Sequence, residues 1–207
     1  MADTPAPSSS AWQSALTRIR SQFSFRNDVT ALDIDQRMLR VVHVSTGRTP
    51  GSTSIKRIEV VPVPSEGFDL ENPKEVGEWI GEQLKALHLV PGTVVMAARR
   101  GEAVLKELLL PPLKDAGEMA SMVNMRAARE LPFPEADAVI DFTVTKVPTK
   151  KELKAARKET PQPRAATDIK AHIVVAAVRR DTVNRYLTIT ESAGLKLTGL
   201  GLRPLAS

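Results

Sequence analysis

Apolar and polar positions alternate along some stretches of the chain and recur every three or four residues along others. The pattern therefore predicts a mixed α/β (α+β) protein. VTALDID from Val29 and MLRVVHVS from Met38 are separated by almost nothing, and TSIKRIEVVPV follows a turn rich in glycine and serine. Three such runs in succession predict an antiparallel meander. Asn72 then caps a helix with Pro73 at its first position, Glu75 three residues on, and a buried stripe of Val76, Ile80, Leu84 and Leu87. Pro91-Gly92 ends that unit, and TVVMAA reads as a short apolar strand buried within a sheet. Residues 28–100 thus form a first β-β-β-α-β subdomain.

Residues 101–207 are expected to form a second subdomain of order β-α-β-β-α-β. AVLKELLLPP is a strand stopped by Pro111-Pro112. Asp115 with Glu118 opens a helix whose buried face is Met119, Met122, Val123, Ala127 and Leu131, and Pro132 and Pro134 end it. Methionines at this spacing are read as core. AVIDFTVTKV is a strand, and DIKAHIVVAAV is its expected hairpin partner. A last helix from Asp181 buries Val183, Tyr186, Leu187 and Thr190 and closes on Gly194 in a left-handed cap, before the strand LKLTGLGL.

Charge decides how the segment between those two hairpin strands is read. Lys146 to Lys170 holds eight basic residues against three acidic ones, so it carries the whole formal excess of +5 and the rest of the chain is neutral. KKELKAARKETPQPRAAT has no apolar periodicity and two close prolines, which describes a long solvated loop. Aromatics that could stack on bases are missing there, and nucleic-acid binding is the poorer reading of the charge. Ahead of the first strand, residues 1–10 read as a mobile tail. Trp12, Leu16, Ile19 and Phe23 then recur at helical spacing, with Arg18 and Arg20 among the polar positions. That is a basic amphipathic helix, with two readings open: packing on the body of the protein, or docking to a membrane surface or partner.

Candidate chemistry is sparse. The chain of 207 residues has no cysteine, which excludes disulfides, thiolate metal sites and cysteine nucleophiles. No run is long enough to cross a bilayer as a helix, and no basic-then-apolar leader is visible at the N-terminus, so a cytoplasmic protein is expected. No Gly-Lys dipeptide occurs, which excludes a phosphate loop of the G-x-x-x-x-G-K-[ST] kind. Gly199-Leu200-Gly201 lacks a third glycine and follows a helix, so it reads as strand or turn. His43, His88 and His172 lie far apart in sequence, none at metal-ligand spacing. No G-x-S-x-G elbow is present. No catalytic residue and no metal site are assigned.

Three stretches nevertheless resemble one family in order. ALDIDQRMLRVVHV (Ala31 to Val44), LKELLLPPLKDAGEMASMVNMRAARELPFPEADAVIDF (Leu105 to Phe142) and RDTVNRYLTITESAGLKLTGLGLRPLAS (Arg180 to Ser207) are similar to the N-terminal half of PilM-type pilus assembly proteins. These are a branch of the actin-like ATPases related to the division protein FtsA. The resemblance spans about residues 28 to 207 and implies an actin-like first subdomain carrying an inserted small subdomain. It also implies a partner: the short cytoplasmic N-terminal tail of a PilN-type inner-membrane protein, held in a groove formed by the inserted subdomain and its neighbour. The chain would then be a scaffold of a type IV pilus or type II secretion assembly at the inner face of the cytoplasmic membrane.

In the actin-like family the first hairpin holds nucleotide phosphates through a glycine and small hydroxyl residues, with an aspartate that organises magnesium. Asp33 keeps the aspartate, but Asp35 stands at the glycine position and Gln36, Arg37 and Met38 replace the hydroxyls. A carboxylate there repels phosphate and larger side chains fill its space, with Arg37 offsetting part of the charge. No cofactor is therefore expected, and Asp33, Gln36 and Arg37 stand as a degenerate phosphate hairpin. The chain also stops before the family's second half, so it is read either as a fragment of a working ATPase, with ATP and magnesium as its cofactors, or as a reduced scaffold. A division role and a basic nucleic-acid adaptor stand as further alternatives.

The amphipathic segment yields a direct test. Replacing Trp12 and Phe23 together by alanine is expected to lower sedimentation with anionic liposomes while leaving the melting temperature unchanged. A drop of several degrees would instead make the segment part of the core.

Overall fold

The computed structural model describes residues 28–46, 52–111, 115–148 and 170–202. Its chain divides into two compact units, one formed by residues 28–103 with 178–202 and the other by residues 104–177.

The first unit is a five-stranded sheet with two helices packed into one core. Strands β1 (Asp28–Ile34), β2 (Met38–Thr46) and β3 (Thr53–Pro62) pair as the expected antiparallel meander. β4 (Thr93–Ala98) lies parallel to β1, and the last strand, β8 (Leu197–Leu202), lies parallel to β4. The resulting order is β3-β2-β1-β4-β8. Side-chain alternation sends Leu32, Ile34, Leu39, Val41, Val94, Met96 and Ala98 to one face, where they meet Val76, Ile80 and Leu84 of helix α1 (Pro73–Ala86) and Tyr186 and Ile189 of helix α3 (Arg180–Ser192). Thr30 is fully buried in β1 and is satisfied by His43 opposite it, Oγ1 to Nδ1 2.9 Å.

Helix ends follow local chemistry. Asn72 Oδ1 accepts from the Lys74 and Glu75 amides, and Pro73 occupies the first turn. α3 closes in a Schellman motif, with the Leu195 amide donating to Thr190 O and the Gly194 amide to Glu191 O while Gly194 takes φ +70°. α1 ends the same way, but the left-handed position is His88 at φ 52°. A residue with a Cβ is strained there, and this end of the helix was not legible from Pro91-Gly92.

The second unit is a three-stranded sheet, in the order β5-β7-β6, with helix α2 against it. Its elements are β5 (Ala103–Leu110), α2 (Ala116–Ala128), β6 (Ala138–Lys146) and β7 (Ala171–Arg179). Asp115 caps α2 through the Gly117 and Glu118 amides at 2.8 and 2.9 Å. Met119, Val123 and Ala127 of α2 are buried against Leu108, Leu110, Ile173 and Val175, with Met122 at the margin. The methionines facing the sheet are core, whereas Met125 is exposed. β7 does neighbour β6 and also pairs with β5. The basic loop expected within 146–170 lies almost wholly outside the described residues, as do the tail and the Trp12 to Phe23 segment.

Two expectations are corrected. Residues 101–207 do not form one subdomain: α3 and β8 belong to the first unit, and the second unit is β-α-β-β among the described residues. The pairing that decides this, Val94 with Leu197 through Ala98 with Leu202, joins segments about a hundred residues apart and leaves no local signature. Within α3, Leu187 is exposed and Ile189 is buried in its place, so the buried stripe is rotated from the expected one.

The rotation has a cause in α1. Gly77 and Gly81, one turn apart, let the backbone of α3 come directly against α1. A Cβ on Gly77 would overlap the Ile189 carbonyl oxygen and sit 2.6 Å from Ser192 Cβ, and one on Gly81 would sit 3.1 Å from Ala193 O. Gly77→Ala is expected to destabilise the unit by about 3 kcal/mol, since backbone cannot give way as a side chain can. Thermal melting checks this against Gly92→Ala, where an added Cβ meets nothing within 4 Å.

Candidate functional site

Ligands of open α/β sheets sit at the carboxyl ends of the parallel strands. In the first unit that end is marked by Ile34 of β1 and Ala98 of β4, because Leu32 pairs with Met96 in parallel. Two charged groups lie there: the β1–β2 turn and the segment that leaves β4.

The turn is Asp35, Gln36 and Arg37. Its backbone closes by the Asp35 amide donating to Met38 O, and the Val63 amide donates to Arg37 O at 2.8 Å. Asp35 Oδ1 accepts from the amides of both Arg37 and Met38, at 2.9 and 3.0 Å. Asp35 Oδ2 accepts from Arg40 Nη1 at 2.7 Å, and the same nitrogen reaches Asp33 Oδ2 at 3.4 Å. The hydrogen bonds from the Arg37 amide and Arg40 hold the Asp35 carboxyl at about 2, below the usual carboxylate range. Gln36 is exposed.

Of the expected site residues, the structure brings Asp33 into a cluster with Asp35, leaves Gln36 at the rim, and uses Arg37 through its backbone. The cation that reaches Asp35 is Arg40, not the expected Arg37. Arg40 was missed because a strand residue five positions on is adjacent only once the hairpin folds: its cross-strand partner is Asp33.

These residues do not fit a nucleotide phosphate. Two amides of the turn already donate to a carboxylate carried by the turn itself, and the arginine that reaches that carboxylate, Arg40, is engaged with two aspartates. A phosphate there would have to displace Asp35 and lie against its charge. Asp33 is positioned as a hairpin residue paired with Arg40, and no group of three or more potential metal ligands occurs among the described residues.

The second group is one the sequence did not reveal. A single 3-10 turn, Arg100–Glu102, follows β4, and Glu102 folds back so that its Oε2 accepts the Arg99 amide at 2.9 Å. Its carboxylate also accepts Arg99 Nε at 2.9 Å, Tyr186 Oη at 2.7 Å and a close bond from Arg185 Nη2. Arg185 Nη1 continues to Glu71 at 3.2 Å. Burial raises the Glu102 carboxyl, but the bonds from Tyr186 and Arg99 outweigh it and the net direction is downward. This network ties α3 to the exit of β4, a positioning role. Its one legible signal is three charges in Arg-Arg-Gly-Glu immediately after an apolar strand.

His172 pairs with Glu107 in the second unit, Nδ1 to Oε1 2.8 Å, and His88 is the left-handed helix cap, so no two histidines share a site. No helix among the described residues is long and apolar enough to cross a membrane.

This mixed α+β architecture with two sheets resembles that of PilM, which has the actin-like ATPase fold. The chain belongs to the family of type IV pilus assembly protein PilM, whose model matches residues 31–200. Among solved structures it is similar to the PilM-PilN type IV pilus biogenesis complex, with 25% identity and a TM-score of 0.65 over 86% of this chain and 48% of that one. The chain thus spans about half the length of that relative. A more distant likeness, 11% identical with a TM-score of 0.46 over 84% of this chain and 57% of the other, is the cytoplasmic domain of EpsL, an inner membrane component of the type II secretion system of Vibrio cholerae. No curated protein sequence matches the chain.

Burial, first, and the bond to Glu102 push the phenol of Tyr186 up to about 12. It is the sole tyrosine of the chain, so ultraviolet titration reads it alone. A raised folded-state value contributes stability that is complete below the unfolded value of 10.0 and is lost as pH rises towards about 12. Folded protein at pH 11 is expected to show about a tenth of the tyrosinate absorbance, against nearly full ionisation in denaturant.

Proposed function

We propose that the chain acts as a scaffold in type IV pilus assembly that holds the cytoplasmic N-terminal tail of a PilN-type inner-membrane protein, without hydrolysing nucleotide. The observation that carries this reading is the likeness, over 86% of the chain, to the protein solved as a PilM-PilN complex. An extended tail with a few apolar anchors is a ligand that sheet edges and grooves of small domains take readily. The β1–β2 turn supports the second half of the proposal, since the Asp35 carboxylate already takes up the Arg37 and Met38 amides and Arg40. Placement at the inner face of the cytoplasmic membrane follows from the partner, with the Trp12 to Phe23 segment adding a weak contact to lipid.

Calorimetric titration tests both halves. A synthetic peptide of the PilN-type tail from the same cell is expected to bind saturably in the micromolar range, and a scrambled peptide is not. ATP with magnesium is expected to give no saturable heat. Absence of tail binding would remove the docking role, and micromolar ATP binding would favour the first half of an active ATPase.

A further inference from the structure

β3 is a ten-residue strand at the end of its sheet, and among the described residues no strand pairs with its outer edge. Free edges of this length are normally blunted. Lys56 at the shift in pairing and Pro62 blunt its two ends, but apolar side chains are left in solvent along it: Ile55 is 62% exposed, Ile58 60% and Val60 53%. Ile58 and Val60 lie opposite Val42 and Arg40, on the face away from the helices. The opposite face of the same strand carries Arg57 and Glu59, with Arg57 Nε to Glu59 Oε1 2.6 Å and Arg57 Nη1 donating to Leu87 O.

We propose that this edge pairs with the β3 edge of a second copy of the chain, antiparallel and centred on Ile58. Charge selects that register. A two-fold axis through Arg57 sets arginine against arginine, and one through Glu59 sets carboxylate against carboxylate; both are destabilising in directly opposed positions. An axis through Ile58 sets each Arg57 against the other copy's Glu59, and the five N–H groups of a guanidinium suffice to bridge its own and the opposing carboxylate. On the other face the same axis stacks Ile58 on its symmetry mate, covering the middle of the apolar row. The strand is regular from Arg57 to Pro62, the one shift in pairing with β2 falling between His43 and Val44, so the central three pairs are undistorted. Such an edge buries less surface than a permanent dimer requires; the pair is a weak one, suited to copies concentrated in an assembly. The proposal does not depend on the tail-docking reading.

The absence of cysteine makes the test sharp. Ile58→Cys places two thiols opposite each other across the axis, about 5 Å apart at Cβ, within small adjustment of a disulfide. Val60→Cys places them about 13 Å apart, four strand residues out of register. Mild oxidation of the Ile58→Cys protein at high micromolar concentration is expected to give a covalent dimer on a non-reducing gel, and the Val60→Cys protein several-fold less. Adding Glu59→Arg to Ile58→Cys is expected to cut the yield several-fold, and adding Arg57→Glu with Glu59→Arg to restore it. Equal yields from the two cysteine positions, no dimer from Ile58→Cys, or indifference to Glu59→Arg would each overturn the pairing.

Discussion

The close approach of two helix backbones governs the first unit. Gly77 and Gly81 remove side chains from the one stripe of α1 that faces α3, so the two helices meet backbone to backbone, and the strand after α3 is delivered alongside β4. Parallel pairing needs a crossover of this kind, because adjacent parallel strands cannot be joined by a tight turn. Once β8 is in place the five-stranded sheet is closed by residues from both ends of the described chain, and residues 104–177 become an insertion into a unit that has its own core. The Glu102 network serves the same junction from the polar side. A carboxylate receiving bonds from Arg99, Arg185 and Tyr186 is satisfied despite burial.

At the carboxyl end of the parallel strands, the β1–β2 turn is closed on a carboxylate of its own. Backbone amides that converge in a turn form an anion site by geometry alone. Asp35 supplies that anion from within the chain, at an effective concentration no free ligand approaches, and Arg40 neutralises it from the adjacent strand. The turn is held rigid by the groups that elsewhere in the fold would recognise a ligand.

Much of the architecture was legible in the sequence. The meander, the capping of α1 by Asn72 and of α2 by Asp115, the left-handed Gly194 and the buried strand TVVMAA were all readable, because each rests on residues within one turn or one hairpin of each other. The family was legible from three ordered stretches, and its model covers the first two and most of the third. The electrostatic misfit of the phosphate turn was visible as a carboxylate where a glycine belongs; its resolution was not, since Arg40 becomes Asp35's partner only across a formed hairpin. The buried face of α3 was read one position off at Leu187, because amphipathic spacing cannot register that a facing helix carries glycines.

The amino-acid sequence by itself determined the kinds of elements, their ends and their order, because capping, alternation and turn chemistry act over a few residues and are written there directly. Only the tertiary structure decided which segments share a sheet, where the inserted unit begins and ends, and which arginine answers which carboxylate. The first two rest on hydrogen bonds and backbone contacts between residues about a hundred positions apart, and the third on side chains that meet only once the hairpin and α3 are in place. Contacts of that range are selected by the fit of the whole fold, and no local pattern encodes them.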